Sequence, residues 1–281
     1  MKIVRKPEWL RKKVNPGEQA AMRSLLNDLR LNTVCQQALC PNIAECFSCG
    51  QATFLILGKD CTRQCSFCNV DKHAQPMPPD DDEPLRVAEA VLRLDLKHVV
   101  ITSPTRDDLV DGGAAHYAAT VASIRKVSQS TAVELLVPDF GGSMDSLKTV
   151  LSSRPSILAH NLETVPRLYA VRKGADYSRS LRLLEMSLSL SDDIPTKSGI
   201  MLGLGETEKE ICEVLGDLRK VGCSYLSIGQ YLAPSRRHQP VVEYITPERF
   251  EELQQVADVM GFRHVESGPY VRSSYNAASY A

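Results

Sequence analysis

The sequence predicts an α/β fold of six β/α units running in one direction, and three observations predict it. From about Glu83 onward, short β-branched runs alternate with amphipathic helical stretches; such alternation implies parallel strands joined by right-handed crossovers. No stretch of the 281 residues reads as a linker that would split this pattern. A composition of 43% apolar and 24% charged residues suits a globular chain with one sizeable core. The same numbers exclude other classes. A formal net charge of −1 gives no global attraction to nucleic acid or an anionic membrane. No apolar run approaches the ~18 residues of a membrane span, and Met-Lys-Ile-Val-Arg-Lys-Pro-Glu-Trp lacks the apolar centre of a secretory signal. Nine cysteines without an export signal point to the reducing cytoplasm and to metal chemistry, not disulfides.

In order, residues Met1 to Lys13 carry Lys2, Arg5, Lys6, Arg11, Lys12 and Lys13 against Glu8 alone. This reads as a solvated arm, or as a basic strap over a site or an acidic partner, anchored by Trp9. Ala21, Leu25, Leu26 and Leu29 give a short amphipathic helix between Pro16 and Leu31. Phe54–Leu57 is the first strand. His98–Thr102, Ala132–Val137, Ile157–His160, Gly199–Leu202 and Tyr225–Gly229 follow as strands. Helices fit Leu85–Leu94, Ala115–Gln129, Met144–Ser153, Val165–Lys173, Arg179–Ser189, Lys209–Val221 and Pro247–Met260. The Pro- and Asp-rich stretch Gln75–Pro84 is a loop.

Chemistry concentrates in Gly58-Lys-Asp-Cys-Thr-Arg-Gln-Cys-Ser-Phe-Cys-Asn-Val70, where Cys61, Cys65 and Cys68 stand in a C-x3-C-x2-C spacing just after a strand. Three such thiolates can hold three corners of an iron–sulfur cubane and leave the fourth iron open, whereas an electron carrier closes its cluster with four cysteines. Two other readings stand beside it: a Cys3His zinc site completed by His73, and a redox C-x-x-C at Cys65–Cys68. Cys35, Cys40 and Cys46 form a second group, with Pro41-Asn42 turning inside it and Cys49 three residues on. Alone, this group fits a four-cysteine zinc site as well as an iron–sulfur cluster. Gly203-Leu-Gly205 does not complete a dinucleotide fingerprint, because Glu208 takes the third glycine's place. Cys212 and Cys223 read as core thiols.

The cysteine loop, with Phe67 before its last cysteine, is the cluster motif of the radical S-adenosylmethionine (SAM) superfamily. The runs Thr33–Cys46, Ala52–Gly58, Cys61–Val70, Lys197–Thr207 and Arg272-Ser273-Ser274-Tyr275-Asn276-Ala277 together resemble the lipoyl synthase family, in its order and over nearly the whole chain. Two departures stand out: Pro104-Thr105 replaces the family's Val-Asp, and Cys49 lies outside its pattern. The resemblance implies a partial (β/α)6 TIM-like barrel with an N-terminal cysteine-rich extension and a C-terminal tail closing the site. The corresponding spans are 1–50 for arm and extension, 51–265 for the barrel and 266–281 for the tail.

It further implies two 4Fe–4S clusters. Cys61, Cys65 and Cys68 hold the one that binds SAM; Cys35, Cys40, Cys46 and Ser274 hold an auxiliary cluster that donates sulfur. Gly112-Gly113 would receive the SAM amino group, and Asn161 and Glu163 its ribose and methionine portions. Arg172 and Lys197 would pair with its carboxylate. Read without the family, the glycines are a turn, Glu163 a helix cap and the two cations surface residues. The implied reaction inserts two sulfur atoms, at C6 and C8 of a protein-bound octanoyl-lysine, through a 5′-deoxyadenosyl radical. Implied partners are octanoylated lipoyl carrier domains (2-oxoacid dehydrogenase acyltransferase subunits and glycine cleavage H protein) and a reductant such as ferredoxin or flavodoxin. Nucleic acid and membrane are not expected, and the chain is expected to be a monomer. Other radical SAM sulfur-inserting enzymes, biotin synthase-like or methylthiotransferase-like, and a zinc-binding structural module are the alternatives.

Overall fold

A computed structural model of the chain describes residues 6–10 and 19–280. The basic arm expected over Met1–Lys13 and the start of the first helix lie largely outside the described residues. Within them, a 3-10 turn at Glu8–Leu10 is anchored by the fully buried Leu10, with Trp9 only partly covered.

The extension follows as α1 (Ala20–Asp28), β1 (Asn32–Thr33), α2 (Val34–Gln37) and α3 (Ile43–Ser48). Next come β2 (Thr53–Leu55) and the short pair β3 (Asp60–Cys61) and β4 (Asp71–Lys72). The repeating part begins with α4 (Glu83–Arg93), β5 (His98–Thr102), α5 (Ala114–Val127), β6 (Ala132–Leu136) and α6 (Met144–Ser152). It continues through β7 (Ile157–Ala159), α7 (Tyr177–Leu190), β8 (Thr196–Leu202), α8 (Glu208–Lys220), β9 (Tyr225–Gln230), α9 (Pro247–Val259) and β10 (His264–Gly268). The main sheet runs β1-β2-β5-β6-β7-β8-β9-β10. Every pairing from β2 to β10 is parallel, and only β1 is antiparallel.

The six expected β/α units are therefore present, from β2–α4 to β9–α9. Six of the seven expected barrel helices fall within two residues of their spans, because their ends are chemically marked. Asp176 accepts from the Arg179 amide to start α7, Thr207 and Glu210 form a reciprocal capping box on α8, and Thr246 caps α9 with Pro247 in its first turn. The seventh, expected at Val165–Lys173, is a 3-10 helix, Pro166–Val171. It stops before Gly174, whose φ of +92° turns the chain and leaves room for the Arg63 stem. β10 was not expected: His264-Val-Glu-Ser-Gly has one strongly apolar residue and no alternation, yet pairs with β9 along its whole length.

One apolar cluster runs from Met22 and Leu26 of α1 through the strands to Phe262 and Val265. Each buried Leu, Ile or Val in it contributes roughly 1.5–3 kcal/mol. The sheet curls around the C-terminal tail. Tyr280 is 4% exposed; its hydroxyl donates to the Leu226 carbonyl of β9 (3.2 Å), while Ala277 and Ala278 share a cavity with His98 and Val100 of β5. Tail and sheet meet closely at Gly229, where a Cβ would stand 2.2 Å from the Val271 carbonyl oxygen. Gly229→Ala therefore costs about 1–3 kcal/mol and displaces the tail: amide exchange at Val271 accelerates while helical circular dichroism is retained.

Candidate functional site

The first cysteine group follows a strained corner. After β2, Leu57 takes a left-handed φ of +68°, which costs a non-glycine residue on the order of 1 kcal/mol. Its amide donates to the Glu83 carboxylate (2.7 Å) and its carbonyl accepts from Arg106 Nη1 (2.9 Å), so the corner is held from both sides. The chain then turns at Gly58 and reaches Cys61 on β3.

Arg63 fastens the loop. Its guanidinium forks onto Asp107 (Nε 2.8 Å, Nη2 2.8 Å) and onto Asp139 (Nη1 2.9 Å, Nη2 2.6 Å). Asp139 has a fully buried side chain and also accepts from Arg179 Nε (2.9 Å). Burial alone would raise its pKa, but the Arg63 guanidinium overrides this and holds the carboxyl well below the usual range. Further bonds spread the anchorage. The Thr62 amide donates to the Thr105 carbonyl (3.0 Å), the Ser66 amide to the Val171 carbonyl (2.8 Å), and the Gln239 amide to the Ser66 carbonyl (2.9 Å). The loop is thus tied to segments following β5, β6, β7 and β9, at the carboxyl end of the barrel where such folds place their chemistry.

Within it, Cys61, Cys65 and Cys68 are free, half-buried thiols. Burial pushes Cys68 up to about 12, and the Cys65 and Cys61 thiolates push the same way. Burial also raises Cys65, opposed by the Arg172 guanidinium. Three mutually repelling soft donors suit a positively charged, thiophilic iron centre. Beside them, Glu163 (φ +66°) is half-buried, and burial raises its carboxyl pKa. Asn161 Nδ2 donates to Glu163 Oε1 (3.0 Å) and to Ser273 Oγ (2.6 Å). Gly199 of β8 leaves room for that amide, since a Cβ there would lie 2.9 Å from Asn161 Oδ1. Arg172 donates through Nη1 to the Asn161 and Leu162 carbonyls (3.0 and 3.2 Å), while its buried Nε has no partner among the described residues. An orphaned cationic donor beside Glu163 and Cys65 fits an anionic ligand group.

Two of the expected SAM contacts have other partners in the structure. Lys197 is 1% exposed, with Nζ 3.0 Å from Glu134 Oε1 and 3.6 Å from the Tyr280 ring centroid, so its charge is committed inside the barrel. It is not available to a SAM carboxylate. Gly112 and Gly113 pack on Phe140 and Leu57, where a Cβ on Gly113 would meet Leu57 Cδ1 at 2.3 Å; they start α5, and Thr105 and Asp107 make the contact with the cysteine loop. The sequence reading missed Arg63, Asp107, Asp139 and Gln239. The available signal was Asp139-Phe-Gly-Gly at a strand's carboxyl end, the same type of pattern as Asp111-Gly-Gly.

The second cysteine group lines its own cavity. Cys35, Cys40 and Cys46 face it together with Thr53, Arg272 and Ser274. Thr53 Oγ1 donates to Ser274 Oγ (2.7 Å), Asn42 Nδ2 to the Tyr270 carbonyl (2.7 Å), and the Tyr275 hydroxyl to Glu45 (3.2 Å). The tail is thereby clamped across the extension. Burial pushes the Cys35 thiol up to about 11. Cys49 is exposed at the end of α3, and His73 turns Nδ1 to the Gln75 carbonyl (2.7 Å). Among the described residues, no three His, Cys, Asp or Glu side chains stand close enough to hold a single metal ion. A four-iron cluster spreads its cysteines more widely, because each binds a different iron.

Comparison with known proteins agrees with this geometry. A family profile described as the radical SAM superfamily matches residues 55–218. Among solved structures, the FeFe-hydrogenase maturase of Carboxydothermus hydrogenoformans superposes with a TM-score of 0.61 at 13% identity, covering 75% of this chain and 52% of that one. Streptococcus suis SuiB bound to S-adenosylmethionine gives 0.58 at 12% identity, covering 89% and 60%. The fold and the matched profile, which spans more than half of the chain, define a radical SAM protein. Curated relatives narrow this further. The lipoyl synthase of Trichlorobacter lovleyi is 75% identical over all of both chains, and that of Geobacter sulfurreducens is 64% identical over 100% of this chain and 92% of its own. The chain belongs to the lipoyl synthase family.

Two outcomes follow from the site's electrostatics. Arg63→Lys keeps the charge but loses the fork, and lowers unfolding free energy by about 1–3 kcal/mol with faster amide exchange at Thr62 and Ser66. His160, deeply buried, donates from Nδ1 to the Val137 carbonyl (2.8 Å) and accepts at Nε2 from Ser180 (2.9 Å); burial lowers its pKa to about 4. The folded state thus refuses a proton that the unfolded chain accepts. Its contribution is complete above pH ~6.5, and as pH falls to 4 unfolding free energy drops by up to roughly 3 kcal/mol. Denaturant titrations of His160→Gln flatten that slope.

Proposed function

We propose that the chain is a lipoyl synthase that inserts two sulfur atoms, at C6 and C8, into an octanoyl chain borne on a lysine of a lipoyl carrier domain. The reading rests on one observation above all: Ser274, from the far end of the chain, lines the cavity of Cys35, Cys40 and Cys46. In this reading those four residues hold an auxiliary 4Fe–4S cluster, and Cys61, Cys65 and Cys68 hold a second cluster that binds SAM. When bound, these groups supply a 5′-deoxyadenosyl radical and sulfide, chemistry that no side chain can direct at an unactivated C–H bond.

The protein's own residues do the rest. Arg63 fixes the cysteine loop against two strand ends. Arg172 offers its orphaned Nε to the SAM carboxylate, and Asn161 with Glu163 takes the ribose and methionine polar groups. Ser273 bonds Asn161 while Ser274 bonds Thr53, so consecutive tail residues join the two sites. Residues 1–50 then serve as arm and extension, 51–265 as the barrel and 266–281 as the closing tail. Carrier subunits of 2-oxoacid dehydrogenases and the glycine cleavage H protein are the proposed substrates, with a ferredoxin- or flavodoxin-type reductant, in the cytoplasm and with the enzyme as a monomer.

The test is an anaerobic assay with an octanoyl-lysine peptide, following sulfur insertion by mass and SAM cleavage by released 5′-deoxyadenosine. Cys46→Ala abolishes sulfur insertion while some SAM cleavage persists, and Cys49→Ala keeps both within about twofold. Loss of activity with Cys49→Ala but not with Cys46→Ala contradicts the assignment.

A further inference from the structure

His98 is the first residue of β5, and its side chain is 5% exposed. Among the described residues, neither Nδ1 nor Nε2 has a hydrogen-bond partner. The imidazole lines the cavity shared by Cys35, Cys40, Cys46 and Ser274. Glu134 of β6 stands beside it, with Oε2 3.4 Å from Nε2, and Lys197 Nζ lies 3.0 Å from Oε1 and 3.3 Å from Oε2 of that carboxylate. An unsatisfied buried polar group costs about 1–3 kcal/mol, so a packing role alone would be better served by an apolar ring. A buried imidazole with both nitrogens unpartnered, one of them 3.4 Å from a carboxylate, in a cavity lined by three cysteines has a lone pair to offer a metal, and the nearby carboxylate favours one tautomer. Nitrogen is also a better partner for iron than the oxygen of Ser274.

We propose that His98 is a further ligand at this site, binding through Nδ1 the iron that Ser274 leaves. This rests on the reading of Cys35, Cys40 and Cys46 as the holders of a four-iron cluster. The exchange is redox-neutral. One iron–oxygen bond breaks, one iron–nitrogen bond forms from the Nδ1 lone pair, and solvent water returns a proton to the serine oxygen. Glu134 and Lys197 act as positioning residues, keeping the Nε2 proton on the carboxylate side.

The test uses the full chain carrying Cys61→Ala, Cys65→Ala and Cys68→Ala, so that only the upstream trio can hold a cluster. It is reconstituted anaerobically with and without Ser274→Ala, assayed for iron, reduced by one electron with dithionite to its paramagnetic state and studied by electron spin echo spectroscopy after ¹⁵N-histidine labelling. We expect about four irons per chain in both forms. Without the serine, a histidine nitrogen coupling is expected that disappears in His98→Phe and in His98→Gln, which keeps a polar side chain but lacks the ring. Iron loaded without nitrogen coupling, a coupling that survives both His98 substitutions, or loss of iron on Ser274→Ala alone each overturns the inference. Absence of iron even with Ser274 intact overturns the two-cluster reading itself, and this inference with it.

Discussion

A guanidinium held between two carboxylates is the constraint on which the first site depends. The Arg63 side chain is 8% exposed and that of Asp139 fully buried, so neither charge is solvated well enough to stand alone. Removing one partner from such a pair costs about 3–5 kcal/mol. The fork is therefore energetically compulsory, and it has one geometry: planar, with two donors on each carboxylate. Because Arg63 lies between Cys61 and Cys65, satisfying it also fixes where the cysteines stand relative to β5 and β6. Loop position is bought with charge pairing, not with apolar packing.

The second site is built on a different principle. Cys35 and Cys46 sit on two short helices, α2 and α3, with Cys40 on the connection between them, and helices of this length are not stable alone. They are kept in place by the tail, through Asn42 to Tyr270, Thr53 to Ser274 and Tyr275 to Glu45. That tail is seated in the open side of the curled sheet, where Gly229 allows it to approach. The extension, the barrel edge and the C-terminal motif are thus mutually dependent. The same tail carries Ser273 to Asn161 at the first site, which gives a physical route by which occupancy of one site is felt at the other.

The alternation of strands and helices was legible because most of the barrel helices carry a side-chain cap or a proline in the first turn, and the Cys61–Cys68 loop stood out by its spacing, whereas the second cysteine group was assigned only by the family resemblance. Three features were not. β10 has no alternating pattern, and its pairing is decided by the exposed edge of β9. Lys197 resembled a ligand-binding cation in a motif, but its burial beside Glu134 and beneath Tyr280 depends on β6, β8 and the tail meeting in the barrel. Arg63 looked like a spacer between cysteines, since its partners Asp107 and Asp139 lie far along the chain. Local propensity and spacing carry information over a few residues; buried ion pairs are set by tertiary proximity.

The most direct test of the two-site account is the metal content of the chain after strictly anaerobic purification and reconstitution. The account predicts about eight irons and eight sulfides per chain, falling to about four of each when Cys61, Cys65 and Cys68 are replaced by Ala. Roughly one or two zinc ions in place of iron would contradict it, as would a full chain that holds only about four irons.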